Sequence, residues 1–508
     1  MPKKVLFVQP FQFIKKNLSN EPLIWFIYLE NYLRDKMSNL LMDVIYLPAE
    51  NNKETYFDAP LQPFEVNNLH SILDSAISNL DFNLDNKTYI CLSGISFDYQ
   101  AIKLIAEYFQ QYFLESVIIF GGYHASSSPN DFSYDKSPID YVVTGEGEIS
   151  LYNLIKNDVR KQTQPIIIEG IPINDLNDLP PIDLTLLDKY IPIIKKKARG
   201  LSISLSRGCP HKCSYCIEKN LAKGKNVKRW RPHTPKRAIE EINTLVNYGL
   251  NQDIKIYGFL DPCFGYHKKW LNEFLDLYEP DDQITYHFVE TRIDILNEQL
   301  ISKLQKKKMF QFYGVESFST KLLEIMNKTH NPKEFLNKIE NVLRIHKDLE
   351  YKCTLGLITN HPGETRETIQ TSFSILSDIA MEDNNDLFHF EPIFYHLFAN
   401  TANYENLDYL NKKYGTKAYF PEWWKDMKTL KYGAFAVRPS SEITLRDSIN
   451  LFVKNHLKIE RIKSKKNQKD GLGIFMAKMG MLKKQQKELL KFLDENNIEM
   501  EEQILTSV

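Results

Sequence analysis

The chain has 508 residues, 43% of them hydrophobic and 25% charged, and its 64 Lys and Arg against 65 Asp and Glu leave a formal charge of −1. This composition excludes a disordered, collagen-like or membrane-embedded protein, and the balanced charge gives no overall field that would gather nucleic acid or acidic lipid. At roughly 150 residues per domain, the length suits two to four domains.

The N-terminus, Met1-Pro2-Lys3-Lys4-Val5-Leu6-Phe7-Val8, opens like a signal peptide. Its apolar stretch stops at Gln9-Pro10, and no small-residue cleavage site follows. It is expected to be the first strand, 4–8, of a cytoplasmic protein, and no apolar run approaches the ~20 residues of a membrane span. A strand over 89–96, a helix over 99–113 and a strand over 116–120 follow. The last ends in Gly121-Gly122-Tyr123-His124-Ala125. A strand over 140–144 ends in Gly145-Glu146-Gly147-Glu148, and a helix begins near Glu148. This alternation predicts a doubly wound, Rossmann-like α/β unit, which binds ligands at strand carboxyl ends. Glycines at two of those ends let a ligand approach the backbone closely.

From residue 201 the alternation resumes. Strands are expected over 201–206, 253–260, 283–290, 309–316, 351–359 and 387–395. Helices are expected over 234–248, 267–278, 297–307, 320–327, 333–347 and 365–380. Six β-α repeats imply parallel strands with helical crossovers, and a cofactor site at their carboxyl ends. After about Ala399 the rhythm fades. The cluster Tyr419-Phe420-Pro421-Glu422-Trp423-Trp424 either caps the second unit or forms a satellite core. Helices are expected over 442–455 and 476–496, and the basic run 454–469 reads as a solvated face.

Six cysteines are present, and three of them crowd into Cys209-Pro210-His211-Lys212-Cys213-Ser214-Tyr215-Cys216. A disulfide framework is not expected in so long a chain. Thiolates at this spacing favour an iron–sulfur cluster, zinc or copper(I). Structural zinc wants four ligands; a second Cys pair at zinc spacing is absent, and His211, which could be a fourth ligand, lies inside the loop beside Cys209. A cluster held by three thiolates leaves one iron open to bind a substrate.

The spacing Cys-x3-Cys-x2-Cys, with Tyr215 before the last Cys, resembles the radical S-adenosylmethionine (radical SAM) superfamily. The resemblance implies that Cys209, Cys213 and Cys216 hold a [4Fe-4S] cluster whose open iron chelates SAM. There, an electron from the cluster cleaves SAM to methionine and a 5′-deoxyadenosyl radical. The segments Asp261-Pro262-Cys263-Phe264, Glu290-Thr291-Arg292, Gly314-Val315-Glu316-Ser317 and His361-Pro362-Gly363-Glu364-Thr365 are similar to SAM-lining loops of the magnesium-protoporphyrin cyclase and methylthiotransferase branch. Tyr215, Asp261, Arg292 and Glu316 are therefore SAM-binding candidates. Arg292 suits the carboxylate, and Glu316 suits the amino group or ribose hydroxyls. Asn360 stands where the family usually has Gly, so the turn there is expected to differ. His361 is a turn residue or reaches the substrate cavity.

The pattern Gly-Gly-x-His-Ala, then Asp-x-Val-Val-x-Gly-Glu-Gly-Glu, resembles the cobalamin-binding domain fused ahead of radical SAM barrels. The family's cobalt-ligating Asp-x-His-x-x-Gly is absent. By resemblance, Ser93, Ser96, Gly121, Gly122, His124, Gly145, Glu146 and Gly147 form the loops around the corrin and its nucleotide tail. His124 is a hydrogen-bonder there rather than a cobalt ligand. Cys91 and Cys353 read as buried core thiols, and Cys263 as core or substrate-facing.

The expected organisation is a cobalamin-binding-like domain over 1–170 and a linker over 171–198. A partial (β/α)6 barrel over 199–398 and a mainly helical, substrate-capping region over 399–508 follow. The implied function is a cobalamin-dependent radical SAM enzyme that methylates an unactivated carbon of a small molecule or peptide. A flavodoxin or ferredoxin would supply electrons, and neither nucleic acid nor membrane is an expected partner. The alternatives are radical cyclisation, rearrangement, epimerisation or oxidation without methyl transfer, and a non-catalytic iron–sulfur or corrinoid sensor.

Overall fold

The structure is a computed structural model that describes residues 2–10, 25–47, 66–84, 87–197, 200–218, 227–466 and 471–499. Strand β1 (Lys3–Gln9) is buried on both faces. Val5 and Phe7 enter one core, and Leu6 and Val8 the other. Such continuous apolar runs mark parallel strands covered by helices on both sides. With β2 (Leu40–Tyr46), β3 (Thr88–Ser93), β4 (Val117–Gly121), β5 (Tyr141–Thr144) and β6 (Ile166–Glu169) it forms a six-stranded parallel sheet of order 2-1-3-4-5-6. The order reverses at β1, which is the doubly wound arrangement.

The second sheet contains β7 (Leu201–Ile203), β8 (Ile256–Phe259), β9 (Tyr286–Thr291), β10 (Met309–Glu316), β11 (Cys353–Thr359) and β12 (Phe388–Phe394). These are parallel and lie in strictly sequential order. The helices between them start where the sequence offers caps. Thr234 accepts from Arg237 N and precedes Pro235; Asn297 accepts from Leu300 N; Thr365 forms a capping box with Thr368.

Two strands of these six-stranded sheets escape the sequence reading. β2 carries Asp43 in its middle, yet that carboxylate is buried and satisfied by the backbone N–H groups of Val44 and Asp81 and by Lys189. β6 is a largely exposed edge strand without alternation. The helix Trp25–Lys36 was likewise not expected.

Trp423 and Trp424 are fully buried against the first sheet's far face. Gln100 Nε2 donates to Trp424 O at 2.9 Å, and Trp424 Nε1 donates to Asp131 at 2.6 Å. Of the two readings of this aromatic cluster, packing is the one realised for these two rings. They fasten the C-terminal segment to the N-terminal sheet. Beyond them, helices Leu445–Lys466 and Gly471–Glu495 pair with one another. No helix among the described residues is long and apolar enough to cross a membrane.

Candidate active site

The cysteine loop grows from the carboxyl end of β7. Ser206–Arg207 pairs antiparallel with Arg231–Pro232, and Gly208 then turns the chain at φ +80°. A Cβ there would strike the carbonyl of Arg229, so only glycine fits. The root of the loop is braced by Asp261, whose carboxylate accepts from Leu205 N at 3.1 Å and from the Ser206 hydroxyl. Burial pushes the Asp261 carboxyl up to about 7.

The loop itself is clamped from three directions. Ser214 N donates to Met326 O at 2.8 Å, Asn403 N donates to Ser214 O at 2.9 Å, and Asn327 Nδ2 donates to Lys212 O at 2.8 Å. His361 lies behind it, fully buried. Its Nε2 accepts from Asn403 Nδ2 at 2.9 Å, and its Nδ1 lies 2.8 Å from Pro362 O, so the ring carries its proton on Nδ1. Burial lowers its pKa to about 3. His361 is thus a neutral brace for the loop and its neighbours, which decides between its two expected roles.

Cys209, Cys213 and Cys216 are all free thiols. Cys209 is hydrogen-bonded to Cys263, and Cys213 to the Tyr215 hydroxyl. Burial, together with the charge of Glu218, pushes Cys216 up to about 12. Among the described residues no group of three His, Cys, Asp or Glu converges on a single metal ion. A cluster takes each thiolate on a different iron and needs no such convergence.

Two cations look onto the cysteines. Arg292 is held by Asp294 through a two-pronged contact at 2.9 Å and donates to Lys328 O at 3.0 Å. Its Nη1 is buried without a partner, the kind of vacancy an incoming carboxylate fills. Lys328 Nζ sits 3.0 Å from Glu316 and is also buried. Both cations lower the pKa of Cys263, though its thiol is pushed up overall by the Cys209 contact and burial. Sequence reasoning missed Lys328, which lies in an unremarkable turn after the helix Thr320–Ile325. That same turn supplies the Met326 carbonyl that anchors Ser214.

Asn360 adopts φ +64°, the left-handed conformation glycine favours and asparagine tolerates. Its side chain donates to Val437 O at 2.8 Å, and its N–H donates to the Glu364 carboxylate. Asparagine thus holds a glycine-like backbone conformation at this turn. Burial pushes Glu364 up to about 8, from 4.5. Between those values the unfolded chain ionises first and the folded one stays protonated, so this group makes stability fall as pH rises. Glu364→Gln is expected to match the wild type near pH 4 and to gain on it progressively up to pH 8, read from urea midpoints across that range. A constant difference would contradict the assignment.

A cleft of about 360 Å³ lies between the carboxyl ends of the first sheet and the root of the cysteine loop. Ser93, Gly121, Gly122, Gly145, Glu146 and Gly147 line it. Gly122 has φ +90°, and a Cβ there would strike the Ser93 hydroxyl. Ser96 and His124 are not in its wall. They lie together beneath it, Ser96 Oγ being 3.0 Å from His124 Nδ1, with His124 Nε2 3.2 Å from Asp131. Trp25, Tyr28 and Leu29 form a wall that the sequence did not suggest.

Charged residues also line the cleft. Arg207 reaches Glu146 at 3.2 Å and Glu148 at 2.6 Å, Arg231 also pairs with Glu146, and Arg207 stacks 5.6 Å over Tyr28. Burial would raise the Glu146 pKa, but the two guanidinium groups outweigh it and hold the carboxyl below its ordinary value. Glu218, two residues past Cys216, also lines the cleft and accepts from the Tyr123 hydroxyl at 2.7 Å. One cleft thus touches the first sheet's glycine loops and both flanks of the cysteine loop.

Residues 203–375 match the radical SAM superfamily model. The chain carries a radical SAM domain. Over 289 residues the chain is 26% identical to an uncharacterised methyltransferase of Pyrococcus horikoshii, covering 52% of this chain and 58% of that one. Over 234 residues it is 30% identical to the bacteriochlorophyllide d C-8(2)-methyltransferase of Chlorobaculum tepidum, covering 44% and 49%. The matched stretch thus spans about half the length of these curated relatives. Its fold resembles that of the methyltransferase TsrM from Kitasatospora setae, solved with tryptophan and a SAM analogue (TM-score 0.62, 15% identity, 91% and 89% coverage). It also resembles the cobalamin-dependent radical SAM enzyme OxsB, solved with aqua-cobalamin (TM-score 0.59, 15% identity, 100% and 75% coverage).

Proposed function

We propose that this protein is a cobalamin-dependent radical SAM enzyme that methylates an unactivated carbon of a small molecule or peptide. The observation that carries the reading is the single cleft that joins glycine-lined strand ends to the base of a three-cysteine loop. In this reading Cys209, Cys213 and Cys216 hold a [4Fe-4S] cluster. Arg292 Nη1 takes the SAM carboxylate, with Glu316 and Lys328 beside it, while Tyr215 and Asp261 support the loop. The corrin lies against Ser93, Gly121, Gly122, Gly145, Glu146 and Gly147, with Ser96 and His124 stiffening the floor. When bound, these groups supply a 5′-deoxyadenosyl radical and a transferable methyl group. The apolar walls exclude water, which protects a carbon radical from quenching. The proposed organisation is 1–170, 171–198, 199–398 and 399–508, in a cytoplasmic protein reduced by a flavodoxin or ferredoxin.

The test is anaerobic reconstitution with iron, sulfide and hydroxocobalamin, followed by metal analysis. About four irons and about one cobalt per chain are expected. Methyl-labelled SAM should then leave its label in the product. A full cluster without cobalt would replace this reading by radical cyclisation, rearrangement, epimerisation or oxidation. Absence of SAM cleavage under reductant would leave a sensor.

A further inference from the structure

Sequential parallel strands with right-handed crossovers place all their helices on one side of a sheet. The second sheet therefore has a helix-covered face and a face turned into its own curl. Side chains alternate between the two. Phe259, Val289, Tyr313, Leu355 and Phe390 pack into the main core. Tyr286, Phe288, Phe310, Phe312 and His389 stand on the other face and are only half-buried. Their rings lie side by side. Tyr286–Phe310 is 5.7 Å, Phe288–Phe310 6.3 Å, Phe288–Phe312 6.1 Å and Phe310–His389 6.4 Å. None of the four Tyr and Phe rings belongs to a packed core cluster. Leu260 and Ile393, on the same face, are 44% and 43% exposed. Leu260 also lines the cleft beside the cysteine loop, so this face opens onto it.

Gly314 and Gly356 pair in register, and neighbouring side chains lean over both of them, Glu316 over Gly314 and the Phe312 ring over Gly356. A Cβ at Gly356 would come within 2.5 Å of the Phe312 ring. Glu391 pairs with Gly356, over which the Phe312 ring lies. It is exposed, and among the described residues its carboxylate makes no hydrogen bond or ion pair. Glu290 is exposed on the same face, in register with Phe312. Glu316 is neutralised by Lys328, and Lys352 lies at the far, amino-terminal end of β11. Aromatic faces are electron-rich and attract cations, and an unpaired carboxylate above them adds to that attraction.

We propose that this face binds the substrate, and that the substrate is an aromatic amine in its ammonium form. Its ring lies on Phe288, Phe310 and Phe312, and its ammonium group meets Glu391. As the substrate site this rests on the radical SAM reading; as a binding surface it stands without it.

The test uses protein reconstituted with iron and sulfide and two fluorescent probes of matched shape, 2-(1-naphthyl)ethylamine and 3-(1-naphthyl)propionate, followed by anisotropy. The amine is expected to bind about tenfold more tightly or better, because one favourable charge contact replaces one repulsion. Glu391→Gln should remove most of that preference, Glu391→Asp should keep it, and Phe312→Leu should weaken both probes. Equal affinity for the two probes, no binding of either, or a preference that survives Glu391→Gln would overturn the proposal. Saturating SAM should leave amine binding intact; competition would assign the face to SAM's own adenine and ammonium groups and overturn it as well. SAM cleavage, measured separately, reports on the enzyme reading alone. Failure of the probes with cleavage intact sinks only the substrate assignment.

Discussion

Single replacement of Cys209, Cys213 or Cys216 by alanine is expected to drop bound iron from about four to below about one per chain. SAM cleavage should fall by at least about a hundredfold, since a missing cluster removes the radical source entirely rather than perturbing it. The physical reason is that three thiolates on one short loop are the whole protein-derived ligand set of the reading. Removing one leaves two, and the loop has no substitute of the same chemistry except Cys263. That thiol touches Cys209 yet springs from the end of β8. Cys263→Ala is therefore the informative control, with Cys91→Ala and Cys353→Ala beside it. All three should retain iron. Cys91 and Cys353 are buried core thiols whose pKa burial pushes up, as the sequence suggested. Full iron loading in Cys213→Ala would remove the foundation of the proposed function.

Arg207→Ala carries the second large expected effect. Among the described residues Arg207 is the only arginine paired with Glu148, and it shares Glu146 with Arg231. Truncation leaves Glu148 buried without its counter-charge, and breaking one partner of a buried pair costs about 3–5 kcal/mol. The thermal midpoint should fall by about 5–15 °C, reading each kcal/mol as a few degrees. Arg207→Lys should recover only part of the loss, because an ammonium cannot span two carboxylates as the planar fork does. Arg207→Met combined with Glu146→Gln and Glu148→Gln should recover most of it, since no charge is then left unpaired. An Arg207→Ala midpoint within a degree of wild type would show that the wall is solvated and not a buried charge network. Corrinoid binding should weaken with Arg207→Ala even in the cold, as the cleft loses one side.

Much of this molecule was legible along the chain. The strand Met309–Glu316 falls where its alternation put it, and the expected helices over 297–307 and 333–347 lie within two residues of their observed ends. Capping residues and the 3.6-residue period are local signals, and these helices carry both. β2 was missed because its central Asp43 breaks the apolar pattern, and the partners that explain the residue include Asp81 and Lys189, far away in the chain. The edge strand Ile166–Glu169 was missed because an exposed strand has no face to alternate against.

The candidate site divides in the same way. By itself, the sequence determined that three thiolates share a loop, that this loop follows the first strand of a β-α series, and that glycines end two strands upstream. Those are facts of spacing, and they point to a cluster and to strand ends that a ligand can approach closely; the corrin itself entered only through the family resemblance. Only the tertiary structure decided that the two sets of strand ends face one cleft and that Arg207 and Glu146 join its walls. It also turned Ser96, His124 and His361 away from open space, brought Lys328 beside Glu316, and sank Trp423 and Trp424 into the first sheet's core. Where a side chain points depends on strand order and on partners far away in the chain, as Gln100 and Trp424 are. That information lies in the contacts of the folded molecule, not in any window of its sequence.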